Sequence, residues 1–239
     1  MLAATENIDD LVLGKGYEIL KNCIPISYID NFLNLLDQLY PVRAISSHKI
    51  YAESEGIKNL EDISVWWSQT VLDLPVVRNI LEIVNPIISN ISHTLVPYTS
   101  DVVFINAHST FVSAHVDTPY RFKQWNFDKR LLGIQCIISL QDTDKINGVT
   151  GLVPFSQKRD FDINKCYNGE YNKWFVENCK QHDMPKGSLL FYNSRVLHSS
   201  MPNTTDKTRP ALLINYIDRN IFDEVSKIDN VWTSNGKRP

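Results

Sequence analysis

From Asp101 onward the chain breaks into short apolar runs separated by turn formers, and this confines its fold more than any other feature. The runs are VVFINAH (102–108), LLGIQCIISL (131–140), TGLVPF (150–155), GSLLFY (187–192) and PALLINYI (210–217). Their lengths and their Val, Ile, Phe and Tyr content suit strands. Only a stretch near 170–180 between them reads as a helix. Successive short strands of this kind predict a β-sandwich or barrel.

The preceding hundred residues read differently. Tyr17 to Leu20 is a candidate strand, and PISYIDNFLNLLDQLY after it carries a helical repeat. Ser27 is placed to cap that helix, with Asp30 three residues on as the capping-box acid. Ile29, Phe32, Leu33, Leu36 and Tyr40 then form one stripe for burial. Residues 43–60 are polar and aperiodic, a loop able to cover a site. A second helical region is expected over 62–72, and a third from Pro75, broken or kinked at Pro86. The expectation is one domain over 1–239, mainly β with flanking helices: a mostly helical part at 1–100 and a β core at 101–220.

At 239 residues the chain is long enough to bury such a core. A formal net charge of −3 gives no electrostatic reason to expect nucleic acid as a partner. No run approaches the roughly 20 apolar residues of a membrane span. The opening MLAATENIDDLVLGKGYEIL lacks the basic start of a signal peptide, so a cytoplasmic address is expected. Cys23, Cys136, Cys166 and Cys179 form no Cys-x-x-Cys pair and read as free thiols.

Chemistry concentrates in two places. In SAHVDTPYRF (113–122), extended chain would point His115 and Asp117 to one side and Val116 to the other. His198 ends GSLLFYNSRVLH, at the exit of a late core strand. Two histidines and one carboxylate leave about three of six octahedral positions open, the pattern of non-haem Fe(II) oxygenases. Arg209 follows eleven residues later and opens RPALLINY. If that segment pairs with the strand bearing His198, the guanidinium enters the same cavity, where its planar fork suits a carboxylate. Ser200 adds a hydroxyl donor nearby. Each residue has a plainer reading when taken alone. A strand-end histidine is more often hydrogen-bonded than metal-bound, and Arg209 has Asp206 as a surface partner.

Taken together, these residues resemble the phytanoyl-CoA dioxygenase family of Fe(II)/2-oxoglutarate-dependent oxygenases. His115-x-Asp117, His198, Ser200 and Arg209 match its motif, within KGSLLFYNSRVLHSSMPNTTDKTRPALLINY. NGVTGLVPFSQK (147–158) and GKGYEILKNCIPISYIDNFLNLLDQL resemble further family segments, so the likeness spans nearly the whole chain. Phe155 and Gln157 depart from a Pro-Gly-Ser-His segment, so the turn is not expected to use a glycine conformation, and 160–182 has no counterpart. The resemblance implies a double-stranded β-helix (jelly-roll, cupin-like) core. It also implies Fe(II) on His115, Asp117 and His198, with the 2-oxoglutarate cosubstrate anchored by Arg209 and Ser200. The implied reaction uses O2 on a small-molecule substrate, probing no nucleic acid or membrane, and releases succinate and CO2. Retention of Asp117 favours hydroxylation or a related oxidation over halogenation, since related halogenases replace that ligand.

Asn106 and Gln135, polar in apolar strands, are candidates for the 2-oxoglutarate 1-carboxylate or the pocket wall, or else satisfied core amides. His108, Trp66, Trp67 and Trp125 are further candidates for the wall, or plain structure. Two other readings stay open: a non-catalytic metal- or ligand-binding module of the same fold, and a zinc hydrolase, which leaves Arg209 unexplained. Substrate identity and oligomeric state are left open.

Overall fold

The computed structural model describes residues 7–39, 65–67, 74–110 and 113–234. Its main layer is a six-stranded antiparallel sheet. In chain order the strands are β1 (Tyr17–Leu20), β2 (Val65–Trp67), β3 (Leu95–Ile105), β4 (Gly133–Ser139), β6 (Leu189–Asn193) and β8 (Arg209–Asp218). They lie side by side as β1-β6-β4-β8-β3-β2. The second layer is built from β5 (Thr150–Leu152) and β7 (His198–Ser200), paired antiparallel. Single bridges extend it through His115↔His198, Ser109↔Asn203, Asn147↔Asn203, Thr143↔Met184 and Leu152↔Lys180. Two antiparallel layers facing each other make the jelly roll.

Strand alternation decides which face meets what. Ile134, Cys136 and Ile138 of β4 join Leu212, Ile214 and Tyr216 of β8 in a cluster against the helices. There α2 (Ile26–Leu39) buries Ile29, Phe32 and Leu36, and α3 (Pro75–Ile91) buries Val77, Ile80, Val84 and Ile88. Each such side chain contributes roughly 1.5–3 kcal/mol by leaving water. Tyr216 also donates its hydroxyl proton to Asn85 Oδ1 at 2.6 Å, tying α3 to the sheet. Residues of opposite parity, such as Ile137, Leu190, Tyr192, Ala211 and Leu213, face Val149 and Leu152 of the second layer.

A third cluster lies under residues 160–182. α4 (Ile163–Tyr167) and α5 (Asn172–Asn178) bury Cys166 and Phe175 against Ala114, Val116, Tyr120 and Leu197. The remaining helices are α1 (Asn7–Val12) and α6 (Phe222–Ser234). Among the described residues, no helix is long and apolar enough to cross a membrane.

Several expectations need correction. Helix α2 begins at Ile26, so Ser27 lies inside it; the Pro25 carbonyl accepts from Tyr28 and Ile29 instead. Asp30 is drawn off to the Lys186 ammonium. Helix α3 is not broken at Pro86 and continues to Ile91. Val65–Trp67 is a strand on β3, where a helix was expected over 62–72; β-branched and aromatic residues fit that pleat. The rest of 62–72, apart from these three residues, and the proposed loop at 43–60 lie outside the described residues.

Candidate metal and cosubstrate site

His115 and His198 meet across the second layer. Each backbone N–H donates to the other's carbonyl at 3.0 Å. His115 Nδ1 lies 2.8 Å from Ser113 O, and His198 Nδ1 lies 3.0 Å from Val196 O. A carbonyl only accepts, so both protons sit on Nδ1 and both Nε2 lone pairs are free for a ligand. Asp117 is held by its N–H, which donates to Ser194 O at 2.8 Å. Its Oδ2 lies 3.2 Å from His198 Nε2, and its Oδ1 lies 3.9 Å from His115 Nε2. Ligand atoms from all three residues fall within 4.8 Å of one another, a spacing able to hold one metal ion. Burial drives His198 down to about 4, with Asp117 opposing and His115 reinforcing the shift, so its imidazole is neutral at pH 7.

His198 does not end the late core strand. β6 stops at Asn193, a turn follows, and His198 opens β7 in the other layer. Arg195, 2% exposed, anchors that turn. Its guanidinium donates to Arg159 O at 2.7 Å, Asn126 O at 3.1 Å, Asp160 Oδ1 at 2.8 Å, and also to Gln157 O. The 160–182 segment braces the strand of the other histidine: Asn172 Oδ1 accepts from Ala114 N at 3.0 Å, next to His115.

A cavity runs from His115 and His198 to Arg209, Ser200 and Thr150. Val103, Ile137 and Leu213 wall it with apolar surface. β8 pairs with β3 and β4, not with β7. Arg209 reaches the cavity from the facing layer instead. It is 3% exposed, donates to Gly148 O at 2.7 Å, and leaves its buried Nε without a partner. No described carboxylate pairs with it, and burial lowers it to about 10. A guanidinium so placed calls for an anion.

Two residues of this site went unread in the sequence. Thr150 stands opposite Ser200 in register. Tyr192 donates its hydroxyl proton to Asp117 Oδ2 at 3.1 Å. Alternation in GSLLFY, which sets Tyr192 on the face of Leu190, was the available signal. Other candidates lie elsewhere. Asn106 follows the end of β3 and is absent from the cavity wall. Gln135 is buried on the inner face of β4, beyond the cavity. His108 is exposed and pairs with Asp206 at 2.9 Å. Trp125 packs beside Phe122 in the third cluster. The side chains of Trp66 and Trp67 lie outside the described residues.

The departures have structural answers. Phe155 adopts the left-handed conformation after all, with φ 64° and ψ 5°, half exposed. Its N–H donates to Lys15 O at 3.0 Å, and the Lys158 ammonium lies over its ring. Buried Gln157 donates to Gly14 O at 2.9 Å, fastening the chain start to the β5 side.

Two histidines and one carboxylate converging inside a jelly roll match the donor set of a mononuclear non-haem iron enzyme. The chain belongs to the phytanoyl-CoA dioxygenase (PhyH) family, whose model matches residues 14–211. No curated protein sequence matches it significantly. Among solved structures it is similar to SnoN, a non-haem alpha-ketoglutarate-dependent epimerase of nogalamycin biosynthesis. The TM-score is 0.66 at 15% identity, covering 90% of this chain and 81% of SnoN. It is also similar to the carbocyclase SnoK of the same biosynthesis, with TM-score 0.63, 17% identity, and coverage of 90% and 83%. SnoN in complex with Fe3+, alpha-ketoglutarate and nogalamycin RO gives TM-score 0.64 at 15% identity, covering 90% and 84%. These likenesses establish the fold.

Proposed function

We propose that this chain is an Fe(II)- and 2-oxoglutarate-dependent dioxygenase that hydroxylates a small-molecule substrate, with release of succinate and CO2. The observation that carries this reading is Arg209: a buried guanidinium without a carboxylate partner, at the far end of the cavity that begins at His115 and His198. The donor set fits Fe(II), as two imidazoles and one carboxylate. The lining of the cavity suits 2-oxoglutarate, with a cation and hydroxyls at one end and apolar walls between.

When bound, Fe(II) and 2-oxoglutarate supply the oxidation of a C–H bond by O2. The chain's own residues hold and orient. His115 and His198 present Nε2 because Ser113 O and Val196 O hold the Nδ1 protons. Tyr192 restrains the Asp117 carboxylate. Arg209, Ser200 and Thr150 receive the 5-carboxylate, and the apolar walls keep water from the chain between. SnoN is an epimerase and SnoK a carbocyclase, so the scaffold serves other outcomes in those proteins. Retention of Asp117 as the third ligand favours hydroxylation or a related oxidation over halogenation.

Anaerobic titration tests this. Fe(II) followed by 2-oxoglutarate is expected to give a visible charge-transfer band, and O2 then to yield succinate. Arg209→Ala is expected to weaken 2-oxoglutarate about 10–100-fold, the loss of charge-assisted bonds, while leaving metal binding in place. Tight metal binding with no 2-oxoglutarate binding would sink the proposal and favour a non-catalytic module.

A further inference from the structure

Two side chains on the inner face of the main sheet have no part in the reaction so far described. Gln135 of β4 and Asn215 of β8 are in-register neighbours. Gln135 is paired on its other side with Tyr192. Strand parity sets both amides on the face of Ile137 and Leu213, which wall the cosubstrate cavity, one step further along each strand. The row therefore runs from Asn215 through Gln135 to Tyr192, whose hydroxyl reaches the ligand Asp117.

Gln135 is 4% exposed and Asn215 7%. The Asn215 side-chain oxygen is buried without a hydrogen-bond partner. A buried amide in that state is destabilising and calls for an explanation, and a ligand that completes it is one. Both groups are neutral, and each both donates and accepts. The charged neighbour on this face, Asp101, is already engaged in a contact of its own.

We propose that Gln135 and Asn215 form the substrate subsite, and that it takes a neutral group able both to donate and to accept hydrogen bonds, a carboxamide or a hydroxyl. The inference rests on the metal and 2-oxoglutarate reading above. A hydrocarbon chain leaves the Asn215 oxygen unpaired, whereas a carboxamide or hydroxyl satisfies it whichever way the amides are turned.

The test uses the intact chain loaded with Mn(II) and 2-oxoglutarate, a combination that binds without turnover. Two probes of similar shape are compared by their proton relaxation: isobutyramide, which donates and accepts, and 3-methyl-2-butanone, which only accepts. In the wild type, bound Mn(II) is expected to relax isobutyramide well above the level seen with Asp117→Ala. Asn215→Leu and the near-isosteric Gln135→Met should each weaken that effect roughly tenfold, the loss of a hydrogen bond. The ketone, which can only accept, should lose less than isobutyramide in both variants. Removing the unpaired amide should also raise the thermal midpoint of Asn215→Leu by about 2–4 °C.

Unchanged isobutyramide relaxation in both variants overturns the proposal. So does wild-type relaxation no greater than in Asp117→Ala, which would leave water as the occupant. If Asn215→Leu does not fold, Gln135→Met decides. Failure of the underlying reading shows separately, as absent Mn(II) or 2-oxoglutarate binding before any probe is added.

Discussion

Tyr192 shows how much one hydroxyl can do beside a candidate metal ligand. It is fully buried, and burial first, then the Asp117 charge, push its phenol well above the ordinary range, so it serves as a donor. Tyr192→Phe removes only that donor from a core position. The variant is expected to keep its fold and to bind Fe(II) or Co(II) about 10–100-fold more weakly, read by metal titration. Phe155 is the opposite case, a residue held at a cost. Its left-handed backbone is unfavourable for a side chain bearing Cβ. Phe155→Gly is expected to raise stability by about 0.5–1 kcal/mol, after the entropy cost of glycine is deducted, seen as a higher melting temperature. The expectation that a non-glycine residue would abandon this turn failed because tertiary contacts, such as Phe155 N to Lys15 O, fix the backbone.

At the scale of elements, legibility followed burial pattern. β1, β4, β6 and β8 could be read because each is a run of residues whose apolar face has a helix or a layer to meet. The second layer was only partly read. β5 falls inside TGLVPF, one of the runs read as a strand, but β7 has three residues and the other contacts are single bridges, too short to show a period. That is why His198 was placed at the end of β6, although it opens β7. Helix α2 was found from its stripe, while its start was misread, because a backbone carbonyl at Pro25 did the work assigned to Ser27. The join between β1 and residues 180–184 carries a pH dependence. The Tyr17 hydroxyl and His182 Nε2 are hydrogen-bonded at 2.9 Å. Burial, then Lys15 and Lys21, lower the His182 pKa below its ordinary 6.5. The unfolded chain therefore binds that proton first, so stability is expected to fall as pH drops below 6.5. The loss should level off once folded His182 is itself protonated. Denaturant melts across this range, with His182→Gln flattening the profile, check it.

Over the whole molecule, the chemistry of the candidate site was more legible than its architecture. A His-x-Asp pair, a late histidine and an arginine in an apolar segment are costly to bury without purpose, so their types speak from sequence. Gln135 stood out as a polar residue in an apolar strand, but Asn215 did not, because an amide in a strand looks satisfied until its neighbours can be counted. The turn between β6 and β7 gathers much of the architecture into four residues. Ser194 holds Asp117, Val196 orients His198, and Arg195 pins the turn to two surrounding loops. Two candidate ligands far apart in sequence thus share one latch. Opening it would release both together, so that escape of a bound metal and local unfolding become a single kinetic event. Amide hydrogen exchange at Asp117 and His198 should then proceed at the rate of metal dissociation, and Arg195→Met should quicken both in the same proportion.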